Sequence, residues 1–111
     1  MRLDEQRLYD ILEAIEAINR YAILGKEEFE RNELIQVWCI RHLEIIGESA
    51  TKLSEEIRNK TPHLPWRQMI GMRNILIHGY FDVNINQVWN VVANELEKLR
   101  VEILKLVDTF K

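Results

Sequence analysis

Helical periodicity is the feature that most constrains the fold of this chain. Apolar residues recur at spacings of three and four along almost the whole sequence, which only four glycines and two prolines interrupt. No segment alternates apolar and polar residues between turn signals, as a half-buried strand would. The pattern therefore predicts an all-α protein.

Breaks in this pattern divide the chain into four main helices, which we predict to form an antiparallel bundle with room for one short extra helix. Gly25, Pro62 and Gly79 follow the first three helices, as residues that end helices do, and Asp82 or Asn84 can cap the fourth. The predicted helices span residues 4–24, 32–60, 66 to about 78, and a last stretch almost to the C-terminus, with a loop or single turn at 26–33.

Length and composition narrow the functional classes. The 111 residues fit one domain, predicted over 1–111, and a formal net charge of −3 argues against a general RNA-coating protein. Any RNA contact must then come from a local basic patch. A single cysteine, Cys39, excludes an intrachain disulfide, and no apolar run is long enough to span a membrane. Without a signal-peptide pattern at the N-terminus, we expect a cytoplasmic protein.

The third predicted helix carries an unusual pair of residues, Arg73 and His78. Arg73 cannot lose its charge, yet it falls within the apolar stripe of Trp66, Met69, Ile70 and Ile77. On an ideal helix His78 lies about 140° around from Arg73, whereas Tyr80 lies within about 20° of it. Either the helix ends at His78 and Gly79 redirects the chain, or two copies meet across a two-fold axis; both can hold together.

The chemistry of this pair suits RNA cleavage. Attack of a ribose 2′-hydroxyl on the adjacent phosphate requires proton transfer, for which histidine is the best-matched side chain near neutral pH. Arginine offers a permanently charged fork to the phosphoryl oxygens. The dipole at a helix C-terminus favours protonated His78, which fits a general acid, and the chemistry requires no metal or cofactor. The spacing alone does not decide, because such pairs are more often structural.

The octapeptide at 73–80, Arg-Asn-Ile-Leu-Ile-His-Gly-Tyr, resembles the Arg-x4-His-x-Tyr motif of HepT toxins in the HEPN superfamily. The resemblance extends to other segments in the same order along the chain. These are residues 40–48 in the second predicted helix, 65–67 and 71–74 before the motif, and 88–89 in the last helix. Together they cover most of the chain.

This resemblance implies a fold, an activity and a set of partners. HEPN domains are helical bundles that dimerise around a shared cleft, and HepT-type members are metal-independent ribonucleases that act on cellular RNA. Arg73 and His78 would be the catalytic pair, assisted by Asn74. The antitoxin would be a small nucleotidyltransferase that transfers AMP from ATP to Tyr80, and the added bulk and negative charge would repel RNA. No membrane or DNA partner is expected.

The second predicted helix carries a pair of acidic residues and a glycine that bear on the site. Glu44 and Glu48 share a helix face and are either a solvated pair or, for Glu48, a supporting residue that reaches Arg73 or orients His78. The resemblance favours the supporting role for Glu48. Gly47 costs a helix interior about 1 kcal/mol relative to alanine, which indicates the close approach of another helix.

A rival function uses the same residues without catalysis. The chain could be a helical partner domain that binds a nucleotidyltransferase and serves as its AMP acceptor. Intact Arg73 and His78 favour the ribonuclease, although a binding cleft could also use them to hold phosphate. A purely structural bundle would leave Arg73 in its apolar stripe unexplained.

Overall fold

The computed structural model describes residues 3–78 and 83–111, with the side chains of 75, 77 and 78 left outside the description. Within these residues the chain contains no strand, and no helix is long and apolar enough to cross a membrane. The all-α prediction is confirmed. The elements are α1 (Asp4–Ala22), α2 (Lys26–Arg31), α3 (Glu33–Thr51), α4 (Glu55–Lys60), α5 (Trp66–His78), α6 (Ile85–Asn90), a π-helical turn (Val91–Glu95) and α7 (Leu96–Asp108).

The predicted fourth helix is present as one continuous helical rod. Val91 at the end of α6 and Glu95 at the start of α7 both keep right-handed helical dihedrals, so the π turn joins the two helices without a break. Asn84 caps the rod, since its Oδ1 accepts hydrogen bonds from the backbone N–H groups of Asn86 and Gln87 at 2.9 and 3.3 Å. Asp82, the other predicted cap, lies outside the described residues.

The prediction of one helix over residues 32–60 is wrong, because the chain turns between α3 and α4. Ser54 caps α4 by accepting a hydrogen bond from the Ile57 N–H at 3.2 Å. The Asp4 carboxylate of α1 binds the Ser54 backbone N–H at 3.0 Å and its hydroxyl at 2.6 Å. Leu53 and Ile57 are both buried, so the helical spacing of apolar residues continues through the turn. For this reason the apolar pattern alone does not reveal the turn.

The segment between α1 and α3 also differs from its prediction. α1 ends at Ala22, and the expected loop or single turn is the six-residue helix α2. Phe29 holds α2 in place, since its ring is 1% exposed and lies 5.1 Å from the ring of Trp89. Gly25 joins the two helices at a φ of +97°, a backbone conformation that residues other than glycine rarely adopt.

Helix α3 occupies the centre of the bundle and positions the candidate site. It packs against α1 on one side and α5 on the other, while α1 also packs against α7. The start of α5 is fixed by Trp66, whose indole N–H donates to the Thr61 hydroxyl at 2.9 Å. The largest fully buried side chains form the core between these helices: Phe29, Leu8, Ile11, Ile15, Ile18, Ile46, Ile103, Val88 and Cys39.

Candidate active site

Arg73 lies on α5 where this helix meets the backbone of α3. It packs there against Gly47, which has no side chain to separate the helices. A Cβ added at Gly47 would overlap the Arg73 Cβ, and would lie 2.8 Å from the Met69 carbonyl oxygen and 3.1 Å from the Arg73 Cγ. The predicted close approach of another helix at Gly47 is therefore confirmed, and the approaching helix is the one that carries Arg73.

The position of Arg73 explains how a charged residue can occupy an apolar stripe. The residue is only partly buried, because its stem lies against α3 while its head reaches the surface. Nη1 donates a hydrogen bond to the Asn74 Oδ1 at 3.0 Å. Nε is buried and has no hydrogen-bond partner within the described part of the chain. In that part of the chain, Asn74 is therefore the residue that holds the guanidinium by a hydrogen bond.

Glu48 lies beside this site in an ion pair with Lys52, which neither of its two predicted roles includes. Its carboxylate is 3.2 Å from the ammonium of Lys52, the residue that directly follows α3, and both side chains are about half exposed. The hydrogen bond from Lys52 is the largest cause that lowers the pKa of Glu48, and the charges of Arg73 and Arg41 lower it further. Glu48 therefore interacts with Arg73 through space, while its hydrogen bond goes to Lys52. Its supporting role stays a prediction.

The surface of α3 next to Arg73 carries alternating charges. Arg41 lies 3.4 Å from Glu44, and the Glu48–Lys52 pair follows along the same helix. With Arg73, these described residues are three positive and two negative groups, so their positive excess is small. Proteins gain most of their affinity for nucleic acids by neutralising phosphate charges with basic side chains. Because its positive excess is small, one copy of this surface can neutralise few phosphates.

His78 and Tyr80 complete the motif in sequence. α5 extends to His78, which agrees with the predicted third helix. The His78 side chain, Gly79 and Tyr80 lie outside the described residues. The two expected arrangements of Arg73 and His78, within one chain or between two copies, stay predictions, as does their catalytic role.

Cys39 offers no competing chemistry. The thiol is buried in the core, and burial raises its pKa to about 11. It is therefore protonated at neutral pH, and a protonated thiol is a poor nucleophile and a poor metal ligand. In the described ranges, no group of three His, Cys, Asp or Glu side chains is placed to share a metal ion.

Comparison with known proteins agrees with the motif. The model of the family described as "Ribonuclease HepT-like" matches residues 11–106, a range that includes every candidate site residue. This chain belongs to the HepT-like ribonuclease family. Its predicted membership of that family is confirmed.

Relatives in this family resemble the chain over most of its length. A Thermococcus cleftensis protein named "Probable ribonuclease HepT" is 36% identical over 106 residues, which cover 95% of this chain and 96% of that protein. A Methanocaldococcus jannaschii protein named "Putative RNase" is 40% identical over 101 residues, covering 90% of this chain and 84% of its own. No solved structure matches this HepT-like chain.

Proposed function

We propose that this HepT-like protein is an endoribonuclease toxin that cleaves cellular RNA without a metal ion, through Arg73 and His78. The observation that supports this most directly is the state of Arg73. Its stem is packed on α3, its Nη1 is tied to Asn74, and its buried Nε has no partner in the described structure. Among the described residues the guanidinium forms no direct ion pair, although the Glu48 charge acts on it through space, and a ligand of opposite charge would account for an arginine at this position.

The proposed reaction assigns one task to each residue. The 2′-hydroxyl of a ribose attacks the adjacent phosphorus, the P–O5′ bond breaks, and the products are a 2′,3′-cyclic phosphate and a 5′-hydroxyl. The proton of the attacking 2′-hydroxyl passes to solvent water, and protonated His78 gives its own proton to the leaving O5′. Arg73 donates hydrogen bonds to the phosphoryl oxygens as negative charge grows on them. Asn74 holds the guanidinium in one orientation, and Glu48 supports its position through the charge interaction described above.

The active form is proposed to be a homodimer. The small positive excess around one Arg73 supports this, because a two-fold axis would bring a second copy of Arg41, Lys52 and Arg73 to the same RNA. The helical geometry supports it as well, since on a straight helix Arg73 and His78 point about 140° apart. A site shared between two copies removes that difficulty.

The cognate antitoxin is proposed to be a small nucleotidyltransferase that modifies Tyr80. Transfer of AMP from ATP to the tyrosine hydroxyl would release pyrophosphate and leave a bulky, negatively charged group two residues after His78. Such a group beside a phosphate-binding cleft would repel and exclude RNA. The modification would therefore act as an off-switch.

A cleavage assay in EDTA tests the proposed function. The wild-type protein is expected to degrade RNA in the chelator, and His78→Ala to abolish the cleavage. Arg67→Ala provides a matched control, because Arg67 is an exposed arginine on the same helix. Cleavage that stops on chelation would contradict the metal-free mechanism.

A protein that accepts AMP but never cleaves RNA would instead be the non-catalytic partner domain. A monomer at micromolar concentration by light scattering would exclude the shared site.

A further inference from the structure

We infer that Gly47 is a positioning residue for Arg73, because it sets the depth at which α5 packs on α3. The inference rests on the proposed catalytic role of Arg73. It assigns to a residue on a different helix, distant in sequence from the motif, the task of placing the guanidinium. Gly47 touches no substrate in this scheme and acts only through Arg73.

The contacts at Gly47 leave little freedom to adapt. Of the three atoms that an added Cβ would meet, the Met69 oxygen belongs to the backbone and the Arg73 Cβ is fixed directly to the backbone. A change of rotamer moves neither atom. Ordinary contact begins near 3.4 Å, so a side chain at position 47 requires α3 and α5 to separate by roughly 1 Å at this point.

Such a separation of the helices would move the Cβ and Cγ of Arg73, which set the direction of its guanidinium group. Cβ and Cγ are the first two atoms of the side chain, and both lie against Gly47. The Nε further along is buried at the present helix spacing. Moving α5 outward would carry Nε and both Nη nitrogens away from α3 together. It would also change the distance from Arg73 to the Glu48 carboxylate, which directly follows Gly47 in the chain.

Another glycine shows that the requirement is specific to position 47. Gly71 lies on α5 itself, two residues before Arg73, and a Cβ added there would meet no described atom within 4 Å apart from its chain neighbours and the adjacent backbone of its own helix. Alanine is tolerated at Gly71 on steric grounds and favours the helix. Gly71→Ala is therefore a matched control that changes the same residue type close to the same site.

The test compares Gly47→Ala with Gly71→Ala in the intact protein, using two readouts. The first is the NMR signal of the Arg73 Nε–H, assigned by its loss in Arg73→Lys. Arg7 supplies an internal reference, because its Nε is also buried without a partner in the described structure. In Gly47→Ala we expect the Arg73 signal to shift and to exchange faster with water while the Arg7 signal stays in place. In Gly71→Ala both signals should keep their positions.

The second readout is RNA cleavage. A displacement of about 1 Å in a catalytic group can cost on the order of 100-fold in rate. We expect kcat to fall by about that factor in Gly47→Ala with a smaller change in KM, since the lost interaction strengthens in the transition state. An unchanged Arg73 signal, or full activity, in folded Gly47→Ala would overturn the inference. If the wild-type protein cleaves no RNA, the proposed function fails, and the NMR comparison still decides whether Gly47 positions Arg73.

A second variant covers the case in which Gly47→Ala does not fold. The double variant Gly47→Ala, Arg73→Gly removes both Arg73 atoms that the new methyl group would meet and leaves only the Met69 oxygen. Recovery of a cooperative unfolding transition in the double variant would show that Gly47 acts through Arg73. A double variant that stays unfolded while Gly71→Ala folds would refute that connection.

Discussion

Replacing Arg73 with methionine should separate the stability of this protein from its activity. Methionine keeps a long unbranched stem to pack against Gly47 and removes the charge and every donor. The buried Nε makes no hydrogen bond in the described structure, and an unsatisfied buried donor costs about 1–3 kcal/mol. The substitution also loses the exposed Nη1 bond to Asn74, which contributes about 0.5–1.5 kcal/mol. We therefore expect Arg73→Met to be more stable by about 1 kcal/mol.

The same substitution should remove most of the activity. Loss of a donor that stabilises developing phosphoryl charge costs about 10²–10³ in kcat. The assays are thermal and urea unfolding beside RNA cleavage, at one fixed protein concentration because self-association makes Tm depend on concentration. A gain of about 1 kcal/mol corresponds to about 4 °C in a domain of this size. Exposed Arg67→Met is the control and should change neither quantity.

The result that would refute this reasoning is a clear loss of stability in Arg73→Met. A decrease of more than about 1 kcal/mol would mean that the folded protein holds the Arg73 charge with favourable interactions. Arg73 would then be a structural residue, and its partly buried position would need no ligand to explain it.

Three further predictions concern other parts of the molecule. Ser54→Ala should destabilise the protein by about 1–2 kcal/mol in urea unfolding, because it removes the α4 cap and the hydroxyl that binds Asp4; an unchanged midpoint would argue against this contact. Lys52 and other cations hold the pKa of Glu48 in the folded protein below its ordinary value. The negative charge of Glu48 therefore stabilises the fold at pH values above the pKa of the unfolded chain, and this stabilisation is lost as the pH falls through the pKa of the folded protein. The difference in Tm between wild type and Glu48→Gln should therefore be present near neutral pH and vanish in acid below the ordinary range of a carboxyl; a difference that grows in acid would contradict the sign. Incubation with a cognate nucleotidyltransferase and ATP should raise the intact mass by AMP units, and Tyr80→Phe should block the increase; modification of that variant would point to another acceptor.

Sequence reasoning could have supplied one feature of the site but not another. The ion pair of Glu48 with Lys52 is local, and its i, i+4 spacing could have predicted it. The partial burial of Arg73, by contrast, follows from the depth at which α5 packs on α3. Periodicity places a residue on a face of its helix but does not say how closely the neighbouring helix approaches.

The sequence by itself determined the all-α class and the extents of α1 and α5 to within two residues, and it named Asn84 as one of two candidate caps, because apolar spacing and capping chemistry act over a few neighbouring residues. It also determined the family, through a motif contained in eight consecutive residues. Only the tertiary structure decided where α3 ends, since the turn at Ser54 is completed by Asp4, fifty residues earlier in the chain. The tertiary structure likewise decided that Gly47 is the residue that Arg73 packs against, because that contact forms only when two helices meet.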